Sequence, residues 1–430
     1  MAQASGLWSN YFSQAGSLCH SEAMTRTEKL LAELIALPSV NPAFLPPHHP
    51  HAGEKRVADF LASAAKRTGL EVEFQKVFGV RGRVRALESG DMSPQSKTGS
   101  RGHSPHQTRE SDLARSNLIV RLLPRNKIRQ TILLAPHLDT VNAGDSQFVP
   151  RRKNGRLHGR GACDTKGSVA AMFSALCELM KSRPKETEIV FAGLIDEENA
   201  QAGSRALAAS GFKADLAIVG EPTRLQVVTA HKGSIWLELE THGKAAHGAT
   251  PQLGKNAVHE MARIVDALET DYAARLRKRR HPLLGTATIN VGTIRGGTQP
   301  NIVPDHCTIT VDRRTLPDEM ESGVRREISA WLRAKKLSAK ISSTKLEPCL
   351  PLETNPGLPL VRRFLHSVGQ LKPVGVDYFC DAAVLSRAGI PSVVFGPGDI
   401  AQAHTSDEWI SLEELERGKN LLLHFLNSLP

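Results

Sequence analysis

What most constrains this chain is a recurrence: short apolar runs of strand length, several of which end in acidic residues or a histidine. Residues 132–135 run into Pro136, His137, Leu138 and Asp139. Residues 189–195 run into Asp196, Glu197 and Glu198, and 216–219 into Gly220 and Glu221. Residues 392–395 run into Gly396, with His404 shortly after. A further strand is expected at 118–122, and helical segments near 168–180 and 204–210 separate the runs. Strands separated by helices predict a largely parallel α/β sheet. In such a sheet the carboxyl ends of the strands share one edge, where ligands bind. The run Gly159-Arg160-Gly161-Ala162-Cys163-Asp164-Thr165-Lys166-Gly167 stands immediately before a helix and brings Asp164 to the same edge.

Each of these residues has an ordinary reading when taken alone. His137 alone is a satisfied buried histidine, and Glu197 with Glu198 is an acidic helix start. Asp164 is a helix cap, and Glu221 before Pro222 is a turn residue. Their common placement at strand ends outweighs those readings. Converging carboxylates repel and raise one another's pKa unless a cation neutralises them. Imidazole and carboxylate donors without thiolate suit Zn²⁺, Co²⁺ or Mn²⁺, with zinc the default for hydrolysis. Two ions about 3.5–4 Å apart need a bridging carboxylate.

With 430 residues, the chain is expected to form two domains. A capping box, Thr25 with Glu28, precedes an apolar face of Leu30, Leu31, Leu34 and Ile35 and predicts a helix over 24–37. A second helix is expected near 54–68 and a strand at 71–77. Between 228 and 349 the α/β rhythm breaks: strands near 234–241, 287–294 and 306–313 alternate with helices near 256–276 and 321–334. That order predicts an inserted β-α-β-β-α-type domain. The catalytic domain is then expected over 24–227 and 350–430. Residues 81–115 are rich in Gly, Ser, Pro, His and charge without an apolar period, and are read as a disordered insertion with His103 and His106 solvated.

No apolar run reaches the roughly 18–20 residues of a membrane span, and the first residues lack a basic start and an apolar signal core. The expectation is a cytoplasmic protein. Six scattered cysteines form no Cys-x-x-Cys pair, so reduced thiols are expected rather than a disulfide framework or thiolate zinc site.

The strand-end residues resemble the co-catalytic zinc aminoacylase and carboxypeptidase family, which includes acetylornithine deacetylases, succinyl-diaminopimelate desuccinylases and glutamate carboxypeptidases. The resemblance spans residues 24–430 except 81–115; the residues before Met24 have no counterpart, which would make Met24 the start. It implies a zinc-exopeptidase-like catalytic domain with a mostly parallel sheet and an inserted ferredoxin-like α+β lid and dimerisation domain. It further implies two zinc ions per subunit, His137 and Glu221 holding one, Glu198 and His404 the other, and Asp164 bridging. Asp139 would fix the tautomer of His137, and Glu197 would be the general base acting on a metal-bridged water. The family tends to have a cis peptide after the bridging aspartate, here Asp164–Thr165.

The segment Gly243-Lys244-Ala245-Ala246-His247-Gly248-Ala249-Thr250-Pro251 resembles the loop whose histidine reaches the partner subunit's site, where His247 would stabilise the oxyanion. Asn301 and Arg314 fall where the family binds the substrate's amide and carboxylate. Arg313 next door leaves the arginine assignment open. Lys166 is read as supporting the Asp164 loop. The loop followed by Gly254-Lys255-Asn256-Ala257 looks more like the acetylornithine deacetylase and carboxypeptidase branches. The expected function is a homodimeric, metal-dependent amidohydrolase removing an acyl group from an N-acyl amino acid, acetylornithine deacetylase-like. The rivals are a metallo-carboxypeptidase, a dipeptidase or an N-succinyl-diaminopimelate desuccinylase.

A third rival is a non-catalytic nucleic-acid-binding or scaffold protein, because the net charge is +11. The surplus is local, however. Residues 81–115 hold seven basic and four acidic side chains, and Arg275, Arg277, Lys278, Arg279 and Arg280 stand together. The basic excess is therefore read as solvated charge, and nucleic acid is not an expected partner.

Overall fold

The computed structural model describes residues 24–77, 115–345 and 347–430. The expected insertion with His103 and His106, and also Cys19, lies outside the described residues, except for Arg115. That residue departs from the expectation: it begins a strand, Arg115–Leu122, and its guanidinium is paired with the buried carboxylates of Glu54 and Asp196. An arginine at the edge of a polar stretch reads as solvated in sequence, because its acidic partners are distant along the chain.

The first helix is Arg26–Ile35, and the Thr25 hydroxyl accepts from the backbone N–H of Glu28 at 3.1 Å, as the capping box predicts. A second helix, Lys55–Arg67, leads into the strand Glu71–Val77. The main sheet runs in the order Glu71–Val77, Arg115–Leu122, Thr187–Gly193, Gln130–Pro136, Leu216–Gly220, Ser392–Val394, Val228–His231 and Leu352–Glu353, and Val374–Val376 also pairs with Val228–His231. Its central four strands, from Thr187–Gly193 to Ser392–Val394, are parallel. Arg115–Leu122 joins them antiparallel, and Glu71–Val77 pairs antiparallel with it in turn at the sheet edge.

Helices cover both faces. In Gln130–Pro136, Ile132 and Leu134 face one core while Leu133 and Ala135 face another. Burial on both sides explains why this strand is continuously apolar rather than alternating. The helices Lys166–Leu179 and Leu412–Asn427 pack together over the first core. The second of these is absent from the sequence reading, although Ser411 caps it by accepting from the Glu414 N–H.

The inserted domain is a four-stranded antiparallel sheet in the order Thr288–Gly296, His306–Thr315, Gly233–His242, Lys340–Ser343. The helices Ala257–Ala267 and Glu321–Ala334 cover one face, meeting Ile235, Leu237, Leu239, Ile309 and Val311. The other face presents Trp236, Glu238, Glu240 and His242. One boundary and one strand differ from the expectation. Val228–His231 belongs to the catalytic sheet, so the lid sheet begins at Gly233, and a fourth strand, Lys340–Ser343, completes β-α-β-β-α-β order. Part of the basic cluster is also paired: Arg279 bonds Glu319 at 2.9 Å and Glu327 at 2.7 Å, and Arg275 approaches Glu327 at 3.5 Å.

Candidate active site

The carboxyl ends of the parallel strands bring together His137, Asp164, Glu197, Glu198, Glu221 and His404. His137 is buried and its Nε2 lies 3.0 Å from Asp164 Oδ1 and 3.9 Å from Glu221 Oε1. His404, whose side chain is half exposed, approaches from the other side, with Nε2 3.3 Å from Asp164 Oδ2 and 3.1 Å from Glu198 Oε2. Asp164 therefore turns one oxygen toward each imidazole. Its peptide bond to Thr165 is cis.

The surroundings of Asp139 differ in part from what the family resemblance implies. His137 Nδ1 lies 3.0 Å from the backbone carbonyl of Asp139 and 3.5 Å from its carboxylate. The carboxylate of Asp139 accepts the backbone N–H groups of Glu197 at 3.1 Å and Glu198 at 3.2 Å, and the Asn41 amide at 2.7 Å. Asp196, at φ 67°, makes the turn that aims those two N–H groups. Asp139 thus orients the pair of glutamates as well as the histidine ring.

A second support was not read from the sequence. Buried Glu408 accepts from the backbone N–H groups of Cys163 at 2.9 Å, Asp164 at 3.0 Å and Gly161 at 3.1 Å, and bonds Arg160 at 2.6 Å. It holds the loop that carries Asp164. Buried Lys166 donates to the carbonyls of Leu34 and Leu37 at 2.9 and 2.8 Å, tying that loop to the end of the first helix. Gly396 passes so close to Glu221 that a Cβ would stand 2.7 Å from its carbonyl oxygen.

The electrostatics follow from burial. Burial, reinforced by neighbouring acids, raises the carboxyl groups of Glu197 and Glu221 well above the usual range. Burial and the charge of Asp164 push Glu198 up to about 7. Hydrogen bonds to Asp164 and Glu198 push His404 up to about 10. For Asp164 burial works upward, but the two histidines outweigh it and hold the group low. Asp381, another buried neighbour absent from the sequence reading, is raised to about 7 by burial despite its bond to Ser204. Acids crowded and raised in this way, without enough hydrogen-bond donors, suit a site for cations. Glu221 Oε1 is buried with no hydrogen-bond partner among the described residues. Oxygen and imidazole donors grouped as His137, Asp164, Glu198 and as His137, Glu197, Glu221 lie close enough to hold a divalent metal.

The lid residues stand apart from this cluster. His247 and Asn301 are exposed on neighbouring loops, joined where the Gly248 N–H donates to the Asn301 carbonyl at 2.7 Å. The adjacent arginines separate cleanly. Arg313 is fully buried against Glu319 at 2.5 Å, whereas Arg314 lies on the opposite face, bonds Asp312 at 3.0 Å and stands 5.7 Å from the Phe379 ring, two residues before Asp381.

Comparison with known proteins agrees with this architecture. The chain is 32% identical over 310 residues to an acetylornithine deacetylase of Myxococcus xanthus, covering 68% of this chain and 79% of the relative. It is 28% identical over 372 residues to a peptidase M20 domain-containing protein of Schizosaccharomyces pombe, covering 85% and 78%. The crystal structure of aminopeptidase PepT from Bacillus cereus superposes with a TM-score of 0.70 at 22% identity, covering 94% of this chain and 97% of that one. An M20 family metallo-carboxypeptidase from Sulfolobus solfataricus gives 0.69 at 17%, covering 94% and 99%. The model of peptidase family M20/M25/M40 matches residues 133–428, and the chain, a hydrolase of amide bonds, belongs to that family.

Proposed function

We propose that this metal-dependent amidohydrolase removes the acyl group from an N-acyl amino acid, with N-acetylornithine the nearest substrate, and works as a cytoplasmic homodimer. The observation that carries the reading is the division of Asp164, one oxygen toward His137 and the other toward His404. His137 with Glu221 would hold one zinc ion and Glu198 with His404 a second, with Asp164 shared. Two such ions supply Lewis acidity and lower the pKa of water, and Co²⁺ or Mn²⁺ would fit the same donors. The similarity to acetylornithine deacetylases supports the choice of acyl amino acid.

The chain's own groups account for the proton traffic. Glu197, half-buried beside Glu221, takes the proton of the attacking water on a carboxylate oxygen and returns it to the leaving amine nitrogen. Its backbone is fixed by Asp139, so the carboxylate is aimed before substrate arrives. Arg314 binds the substrate carboxylate and Asn301 its amide. His247, from the lid of the partner subunit, donates to the developing oxyanion, and lid closure excludes water.

The test is Glu197→Gln with turnover and metal content measured together on acetyl, succinyl and aminoacyl substrates. The expected result is a loss of about 10²–10⁴ in kcat with metal retained, and acetylornithine preferred. Near-normal turnover would remove Glu197 as base, and a preference for dipeptides would make the enzyme a peptidase. A mixed dimer of Glu197→Gln and His247→Ala subunits should recover one working site; no recovery would place His247 in its own chain's site.

A further inference from the structure

A second set of metal-type donors lies on the lid, in a different part of the fold from the strand-end cluster. Glu240 and His242 are two residues apart on Gly233–His242 and so share a face, and His306 on the neighbouring strand stands directly opposite His242. All three point away from the lid's helices. His306 Nε2 lies 2.7 Å and His242 Nε2 3.3 Å from the same oxygen, Glu240 Oε1. The rings are 5.4 Å apart, and the three donor atoms lie within 4.8 Å of one another. Lys340 holds the other oxygen of Glu240 at 3.1 Å, and bonds to His306 and Lys340 pull that carboxyl down to about 2.

We propose that Glu240, His242 and His306 form a divalent-metal site of zinc type on the open face of the lid sheet. Two imidazoles and one carboxylate on a rigid ladder make a three-ligand set with a position left for water. Both imidazoles are aimed at one carboxylate oxygen, so a cation placed among them would take one donor atom from each of the three residues. The register also separates this site from Arg314, which pairs with Ser234 eight residues back along the strand, about 27 Å at 3.4 Å per residue.

The position has a consequence for the lid. His242 directly precedes Gly243, whose N–H donates to the carbonyl of Asp305 at 2.7 Å, and Asp305 directly precedes His306. A cation bound here pins the bases of the two loops that carry His247 and Asn301. Occupancy would thereby stiffen the part of the lid that the proposed reaction needs. The metal site itself stands without that reaction.

The experiment is equilibrium dialysis of the full chain against zinc chloride at neutral pH, with bound zinc counted per chain. The exposed double variant His242→Gln/His306→Gln should bind one zinc fewer than the parent, and the same single equivalent should disappear when both carry Asp164→Asn. Zinc should also slow proteolysis within 243–251 in the Asp164→Asn protein, and not once His242 and His306 are replaced. Equal zinc counts with and without the two histidines would overturn the proposal and leave an ion-pair cluster. A parent chain that loses zinc only through Asp164→Asn would overturn it as well, while upholding the catalytic centre.

Discussion

The side-chain amide of Asn41 donates at 2.7 Å to Asp139 Oδ2 and at 3.0 Å to Asp196 Oδ1, so one neutral group separates two buried carboxylates. Arg115 anchors the far side, bonding Asp196 at 2.9 Å and pairing with Glu54. The chain of contacts ends on the N–H groups of Glu197 and Glu198. Removing the amide takes away the one donor that Asp139 and Asp196 share, while each keeps its other partners. Asn41→Ala is expected to cost about 1.5–3 kcal/mol, the range for a hydrogen bond to a charged group. Asn41→Asp should cost more, since it adds a third carboxylate. Denaturant unfolding of the three proteins measures the order, and equal stability of all three would remove Asn41 from the network.

Glu408 acts on Asp164 without touching a reacting atom. Glu408→Gln keeps one acceptor oxygen but loses the charge opposite Arg160 and one of the two carboxylate oxygens that receive the loop's N–H groups. Groups that orient metal ligands contribute about 10–100-fold to metal affinity. Zinc affinity measured by competition with a chelator should fall within that range, while circular dichroism stays native. Unchanged affinity would mean that the Asp164 loop holds itself.

The two neighbouring arginines separate stability from substrate binding. Arg313→Ala removes a fully buried guanidinium from Glu319, which keeps Arg279 at 2.9 Å and the Leu316 N–H at 2.9 Å, and is expected to destabilise the lid by about 1.5–3 kcal/mol. Arg314→Ala removes a half-exposed fork and should leave stability within about 0.5 kcal/mol. If Arg314 binds the substrate carboxylate, its loss should raise KM about 10- to 100-fold, matching one charge-assisted hydrogen bond. A normal KM in a well-folded Arg314→Ala protein would move substrate recognition elsewhere.

How much of this is legible in the sequence depends on whether the signal is local. The strand-end acids are legible because a buried parallel strand is a continuous apolar run, and its last residues stand out beside it. The lid helices are legible from their apolar period. Asn41, Glu408 and Arg115 are not, because what they do depends on partners 98, 244 and 81 positions away. Leu352–Glu353 and Val374–Val376 are too short to show any period. The final helix is the exception, since Ser411 and Glu414 mark its start in the sequence itself. Between Arg313 and Arg314 only the sheet's facing decides, and that requires the register with Gly233–His242.

His231 ties stability to pH. It is fully buried at the end of Val228–His231, next to the lid boundary, with Nδ1 2.9 Å from the carbonyl of Lys232 and Nε2 without a hydrogen-bond partner among the described residues. Burial pushes its imidazole down from the ordinary 6.5 to about 4. Between those values the unfolded chain carries a proton that the folded chain does not, so stability rises with pH across the window and falls as pH drops from 6.5 toward 4. The gap of about 2.5 units corresponds to about 3 kcal/mol. His231→Gln removes the titrating group, so the parent should lose up to about 3 kcal/mol more than the variant between pH 7 and pH 4. Urea unfolding of both proteins at the two pH values isolates this contribution from the other acids, which titrate equally in each. Parallel losses in parent and variant would mean that His231 takes up its proton without unfolding the strand.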